Sequence, residues 1–292
     1  MVASNIARVG VLGAGQMGRG IAQVAAAAGI DVVLSDASID LAERGKATIA
    51  SGLAKLVEKT KITAEARDAL LARVHPAGGV AAFADVDLAV EAATENLEVK
   101  LALFRDADAA LKPGAILASN TSSISITRLA GATKRPDLVV GMHFMNPVPL
   151  MKLVEVVRGV QTSDATHALV VALAERLGKT VITSKDHPGF LVNRVLLPLV
   201  NEACFALQEG VGTAEDIDQG ARLGLNHPMG PLELADLIGL DTCLAIANVL
   251  HTELGDSKYR AATVLKNHVA AGWLGKKTGR GFYTYDAQGK KV

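Results

Sequence analysis

A chain of 292 residues with 30 Lys plus Arg against 30 Asp plus Glu, 50% hydrophobic and 3% aromatic, has the composition of a globular protein of one large or two smaller domains. A net charge of zero gives no electrostatic footprint for nucleic acid, and no apolar run approaches the roughly 20 residues a membrane-spanning helix needs. Cys204 and Cys243 lack metal-ligand spacing and sit in apolar, helix-like stretches, which predicts buried free thiols and no metal site, and Met-Val-Ala-Ser-Asn leads into an apolar strand without a signal or transit pattern, which predicts the cytoplasm.

Residues 9–12 read as a strand, the glycines after them as a turn, 21–27 as a helix and 31–34 as a second strand. Apolar strands joined by a short crossover helix suit a parallel sheet covered on both faces. Residues 41–71 predict two long helices with a break near 60–63, and strands follow at 88–92, 116–119 and 139–143 with helical segments between them. The alternation predicts an α/β fold with a Rossmann-type doubly wound sheet over 1–187. Beyond Lys185-Asp186-His187-Pro188-Gly189 no β-rich run occurs until 281–285, so 188–292 reads as an all-α C-terminal domain. Its helices are expected over 190–208 with a kink at Pro198, after the cap Thr213, and from Pro231 onward.

Gly13-Ala14-Gly15-Gln16-Met17-Gly18 follows a strand and opens a helix, the context in which such a loop admits a pyrophosphate to a helix N-terminus. Asp36 lies 23 residues past Gly13 at the end of the second strand, where a carboxylate accepts hydrogen bonds from an adenosine ribose. The same carboxylate repels a ribose 2′-phosphate, so the predicted cofactor is NAD rather than NADP.

Ser119-Asn120-Thr121-Ser122-Ser123 sits just past an apolar strand. Composition alone favours a polar loop or helix cap there. The next strand also ends in a polar block, His143-Phe144-Met145-Asn146-Pro147, and ligands bind at the carboxyl edge of such sheets, which points both clusters at one crevice. Glu155, twelve residues after His143 in an apolar strand-like run, needs a nearby donor if it is buried. Paired with His143, it would fix the imidazole tautomer and leave the other ring nitrogen to take a proton from an alcohol. Pattern alone leaves a solvated edge-strand Glu beside a structural His equally open. Ser51, Lys55 and Lys59 share one helix face, either solvated or an anchor for a phosphorylated substrate handle.

Taken together, G-A-G-Q-M-G at 13–18, E-N-L-E-V-K at 95–100, S-N-T-S-S at 119–123, H-F-M-N-P-V-P-L-M-K-L-V-E-V at 143–156, P-G-F-L-V-N-R at 188–194, H-P-M-G-P-L-E-L-A-D at 227–236 and G-W-L-G-K-K-T-G-R-G-F-Y at 272–283 make the chain resemble the 3-hydroxyacyl-CoA dehydrogenase family, most of all its short-chain 3-hydroxybutyryl-CoA members. The resemblance implies catalysis by His143 and Glu155 with Ser122 and Asn193 beside them. It implies NAD contacts at Asp36, Glu95, Lys100, Ser122, Asn146 and Lys277 in addition to Gly13, Gly15, Gln16, Met17 and Gly18, and coenzyme A contacts at Ser51, Lys55 and Lys59. It also implies an acyl-CoA substrate, and it supports the homodimer through the second domain that the strongly apolar stretches 190–207 and 232–250 suggest, while the neutral charge and the lack of a long apolar run predict no nucleic-acid or membrane partner. Met145 departs from the family, which usually has a second Phe there. A non-thioester hydroxy acid or sugar acid is the alternative substrate. A non-catalytic, crystallin-like NAD-binding protein is the alternative of another class, and intact His143, Glu155, Ser122 and Asn193 argue against it.

Overall fold

The computed structural model describes residues 6–292, so the leader-free N-terminal reading of residues 1–5 lies outside the described residues. The chain divides into two compact units, Met1–His187 and Pro188–Val292. The first contains β1 (Arg8–Leu12), α1 (Gln16–Ala27), β2 (Asp31–Asp36), α2 (Ile39–Glu58), α3 (Ala64–Ala72), β3 (Val74–Gly78), β4 (Leu88–Glu91), α4 (Leu97–Ala110), β5 (Ile116–Ser119), α5 (Ile126–Ala130), β6 (Val139–Phe144), β7 (Leu153–Arg158), α6 (Asp164–Arg176) and β8 (Thr180–Lys185). Helix starts coincide with short polar side chains: Ser38, Thr63, Asn96 and Ser163 each accept a backbone N–H of the turn they open. Each such cap stabilises its helix by about 1 kcal/mol.

The strands form one sheet in the order β3-β2-β1-β4-β5-β6-β7-β8. Every neighbouring pair is parallel except β6 and β7, which are antiparallel. The order reverses between β1 and β4, and the polar loops after β1, β4, β5 and β6 all leave from the same edge. Val9, Val11, Val90, Ala118, Val140 and Val156 are at most 2% exposed, in keeping with strands covered on both faces.

Two strands carry no apolar-run signal in the sequence. β3 contains His75 and Pro76, and it is an edge strand, where proline's missing N–H costs no ladder bond. β8 reads Thr-Val-Ile-Thr-Ser-Lys at the opposite edge and is only partly covered.

The second unit contains α7 (Val192–Gln208), α8 (Ala214–Gly224), α9 (Pro231–Ile238), α10 (Leu240–Leu254) and α11 (Thr263–Ala270). Thr213 caps α8, Pro231 opens α9, and α7 carries Pro198 within it. The expected β-rich run at 281–285 forms isolated bridges instead of a strand. The buried Asp236 carboxylate explains this by accepting the N–H groups of Phe282 and Tyr283 and the hydroxyl of Tyr285, each at 2.9 Å. Burial raises the pKa of that carboxyl. Cys204 and Cys243 are free and buried, and desolvation pushes the Cys243 thiol up to about 12. No single helix among the described residues is long and apolar enough to cross a membrane.

Candidate active site

The glycine loop leaves β1 at the point where the strand order reverses. Gly13 has φ +104°, and a Cβ there would lie 2.6 Å from the carbonyl oxygen of Ala92, so only glycine lets the turn pass beside the end of β4. A Cβ on Gly18 would come within 1.7 Å of the Gly13 carbonyl, which fixes how closely α1 approaches the loop. Gly15 has open space where its side chain would be. The first turn of α1 holds no acidic residue and has no side-chain cap, so its N–H groups and dipole face a cleft of about 400 Å³ lined by Gly13, Gly15, Gln16, Met17, Asp36, Ala92, Ala93 and Thr94.

Asp36 closes one end of that cleft. Its carboxylate accepts Ala14 N–H and Ala37 N–H, both at 2.7 Å, and each oxygen keeps acceptor capacity. A carboxylate fixed by two backbone donors cannot swing away from a ribose. The residues present therefore fit a dinucleotide with an unphosphorylated ribose.

Past β4 lies a buried charge cluster. Lys100 and Glu91 are each 1% exposed, and Lys100 Nζ donates to both Glu91 oxygens at 2.7 Å. Glu91 also accepts Ser119 Oγ and Ala93 N, each at 2.7 Å. Glu95 Oε2 lies 3.5 Å from the same ammonium, and its Oε1 accepts the Thr121 hydroxyl at 2.6 Å and the Ser122 and Ser123 N–H groups at 2.9 and 3.1 Å. Lys100 is thus enclosed, and what it visibly holds is Glu91 and Glu95. Glu95 in turn holds the loop that carries Ser122. At the far end of that segment Asp186 accepts the Ser125 hydroxyl and the N–H groups of Ile126 and Thr127.

The His and Glu pair follows from sheet register. β6 and β7 are antiparallel, and His143 stands directly opposite Glu155, which brings their side chains together on one face. His143 Nδ1 lies 3.1 Å from Glu155 Oε2, and Nε2 lies 3.1 Å from Ser122 Oγ. Glu155 is 0% exposed and His143 6%. The open alternative of a solvated edge-strand Glu is removed, because β8 covers β7. Asn120 Oδ1 accepts Phe144 N–H at 2.8 Å and ties the serine loop to the end of the His strand. A carboxylate that accepts Nδ1–H leaves Nε2 as the proton acceptor, aimed at the serine hydroxyl.

Asn146 is exposed and accepts a hydrogen bond from the Gln16 side-chain amide at 3.0 Å, which joins the end of β6 to the glycine loop. Met17 and Met145 are half-buried, and Ser51 and Lys55 on α2 and Lys59 at its C-cap are exposed. In the second unit Asn193 is a buried residue of the first turn of α7, and Lys277 is ion-paired to Asp241 at 2.6 Å. Glu91 and Asp186 escaped the sequence reading, and Asn120 was noted only as part of its polar cluster. Glu91 had the signal that found Glu155, a carboxylate within an apolar strand.

Residues 8–187 match the model of the 3-hydroxyacyl-CoA dehydrogenase NAD binding domain, and residues 189–285 match that of the 3-hydroxyacyl-CoA dehydrogenase C-terminal domain. The chain is 56% identical to a 3-hydroxybutyryl-CoA dehydrogenase of Bradyrhizobium diazoefficiens, covering 97% of each chain. It is 51% identical to a probable 3-hydroxybutyryl-CoA dehydrogenase of Bacillus subtilis, over 96% of this chain and 98% of that one. The crystal structure of an (S)-3-hydroxybutyryl-CoA dehydrogenase from Ralstonia eutropha superimposes with a TM-score of 0.93 at 51% identity, covering 97% of this chain and 100% of that one.

Proposed function

The chain belongs to the 3-hydroxyacyl-CoA dehydrogenase family and is an NAD-dependent oxidoreductase, and on that premise we propose that it interconverts (S)-3-hydroxybutyryl-CoA and acetoacetyl-CoA with His143 and Glu155 as its acid/base pair. The observation that carries the chemistry is the Ser122–His143–Glu155 chain, with 3.1 Å at each step.

NAD, when bound, supplies the hydride acceptor, and NADH the donor. The remaining work belongs to the protein. In oxidation His143 Nε2 takes the hydroxyl proton as hydride leaves carbon, and in reduction the imidazolium returns a proton to the carbonyl oxygen. Buried Glu155 holds the ring by Nδ1 and stabilises its charged form. Ser122, fixed through its N–H by Glu95, places the substrate oxygen on Nε2. On this reading Asn193 assists catalysis, Lys277 contacts the cofactor, and Ser51, Lys55 and Lys59 contact the coenzyme A phosphates. Initial rates with acetoacetyl-CoA against free acetoacetate and sugar acids test the substrate class. Turnover confined to a non-thioester acid would replace this reading.

Asp36 sets cofactor choice. A 2′-phosphate would meet its negative charge, and no Arg or Lys follows it before Arg44. The expected kcat/KM with NADH exceeds that with NADPH by about 10²-fold or more, the scale of a like-charge contact of a few kcal/mol. Asp36→Ala should narrow the gap, and parallel steady-state rates with the two cofactors check both statements. Equal use of NADPH by the unmodified protein would refute the role given to Asp36.

The second unit exposes Val195 on α7, Leu223 on α8 and Leu225 just after it, at 67%, 78% and 62%. Such a surface suits the homodimer proposed for it. Sedimentation at micromolar concentration should give twice the chain mass of 30.3 kDa, and a stable monomer would reject the dimer.

A further inference from the structure

Lys179, just before β8, takes no part in the chemistry described above. It is 8% exposed, and its ammonium donates to the carbonyl oxygens of Val148 at 2.5 Å and Met151 at 2.8 Å. Among the described residues no carboxylate lies within ion-pair distance of it, and burial lowers its pKa. An ammonium taken out of water against neutral carbonyls alone, with no carboxylate to balance its charge, carries a desolvation cost that a methionine of similar length would not, although methionine would leave the two carbonyls without that donor. Its value must lie in what the two carbonyls belong to.

They belong to the connection between β6 and β7. Asn146 begins that connection and bonds Gln16 of the glycine loop. Val148, 2% exposed, lies against α1 so closely that a Cβ on Gly20 would come within 2.7 Å of it. Pro149, Leu150 and Met151 are exposed on the outer side of the connection. The backbone adds a turn onto the Pro147 carbonyl at 3.0 Å and one bond from Thr180 N–H to the Lys152 carbonyl at 2.7 Å.

We propose that Lys179 is a positioning residue of the cofactor site, whose ammonium clamps the β6–β7 connection against α1 and so sets Asn146 on the cleft. The inference rests on the reading of Asn146 as a cofactor contact. Lys179 does not set the acid/base pair, because the ladder of Gly141–Phe144 against Val154–Val157 holds His143 opposite Glu155 without it.

The test compares Lys179→Met, Lys179→Gln, Asn146→Ala and the Lys179→Met/Asn146→Ala double variant by NADH fluorescence titration, steady-state kinetics and thermal unfolding. Lys179→Met should raise the NADH Kd and cofactor KM about tenfold, a loss on the scale of one charge-assisted contact, while kcat at saturating cofactor stays within about threefold. Its Tm should change by no more than a few degrees, because the relieved desolvation of the ammonium offsets the loss of the donor to the two carbonyls. Lys179→Gln, which keeps a donor, should fall between the two. The double variant should bind NADH as Asn146→Ala does. An unchanged Kd in Lys179→Met, or a Kd effect that multiplies with that of Asn146→Ala in the double variant, overturns the proposal. If Asn146→Ala itself leaves the Kd unchanged, the reading of Asn146 fails first and takes the proposal with it.

Discussion

Replacing His143 with Gln is expected to lower kcat on (S)-3-hydroxybutyryl-CoA by about 10²- to 10⁴-fold, the range typical of removing a general acid or base, and to leave the NADH Kd within about twofold. The two readouts separate because the ring and the cofactor cleft draw on different elements. The cleft is built by β1, α1, β2 and the end of β4, whereas the ring is held by β7 and the serine loop. Glutamine keeps a polar side chain of similar reach, so Glu155 and Ser122 retain a hydrogen-bonding neighbour and the loss measures proton transfer. A variant that stayed within a few-fold of the unmodified protein would remove His143 from the mechanism.

The second large effect concerns stability. Lys100→Met leaves Glu91 as a buried carboxylate without its cation, and removal of one partner of a buried pair typically costs about 3–5 kcal/mol. Glu91 would keep its bonds from Ser119 and Ala93, which cannot replace a full charge. Denaturant unfolding should show the midpoint fall at unchanged m. The Lys100→Met/Glu91→Gln double variant should recover part of the loss, because no net charge then remains buried. A Lys100→Met variant destabilised by less than about 1 kcal/mol would show that the pair contributes little to the fold.

The sequence made the central sheet legible wherever strands are buried on both faces, because short, mainly apolar runs such as 9–12, 88–92 and 139–143, bounded by polar segments, suit strands covered on both sides. It hid β3 and β8 for the converse reason. At the edges a strand need not be apolar, and Pro76 would argue against a central strand. The run 281–285 misled because three aromatic residues raise β propensity locally, whereas its conformation is set by Asp236, 46 residues away from Phe282. The His and Glu pair was only half legible: pattern left it level with a solvated Glu, and it is the antiparallel register of β6 and β7 that brings residues twelve apart face to face. Lys179 and Asp186 were not legible, because each acts on backbone groups of a loop distant in sequence, and no spacing rule encodes such a contact. Lys100 shows how far a motif reaches: E-N-L-E-V-K marked it as functional, but only packing shows that its ammonium is buried against Glu91.

The most direct test of the acid/base assignment is kcat for His143→Gln, Glu155→Gln and the double variant on (S)-3-hydroxybutyryl-CoA at saturating NAD. If Glu155 acts through the imidazole, Glu155→Gln alone should cost about tenfold or more, and the double variant should be no slower than His143→Gln within about threefold, because residues acting as one unit are not additive. Losses that multiply in the double variant would contradict the account and assign Glu155 a role independent of His143.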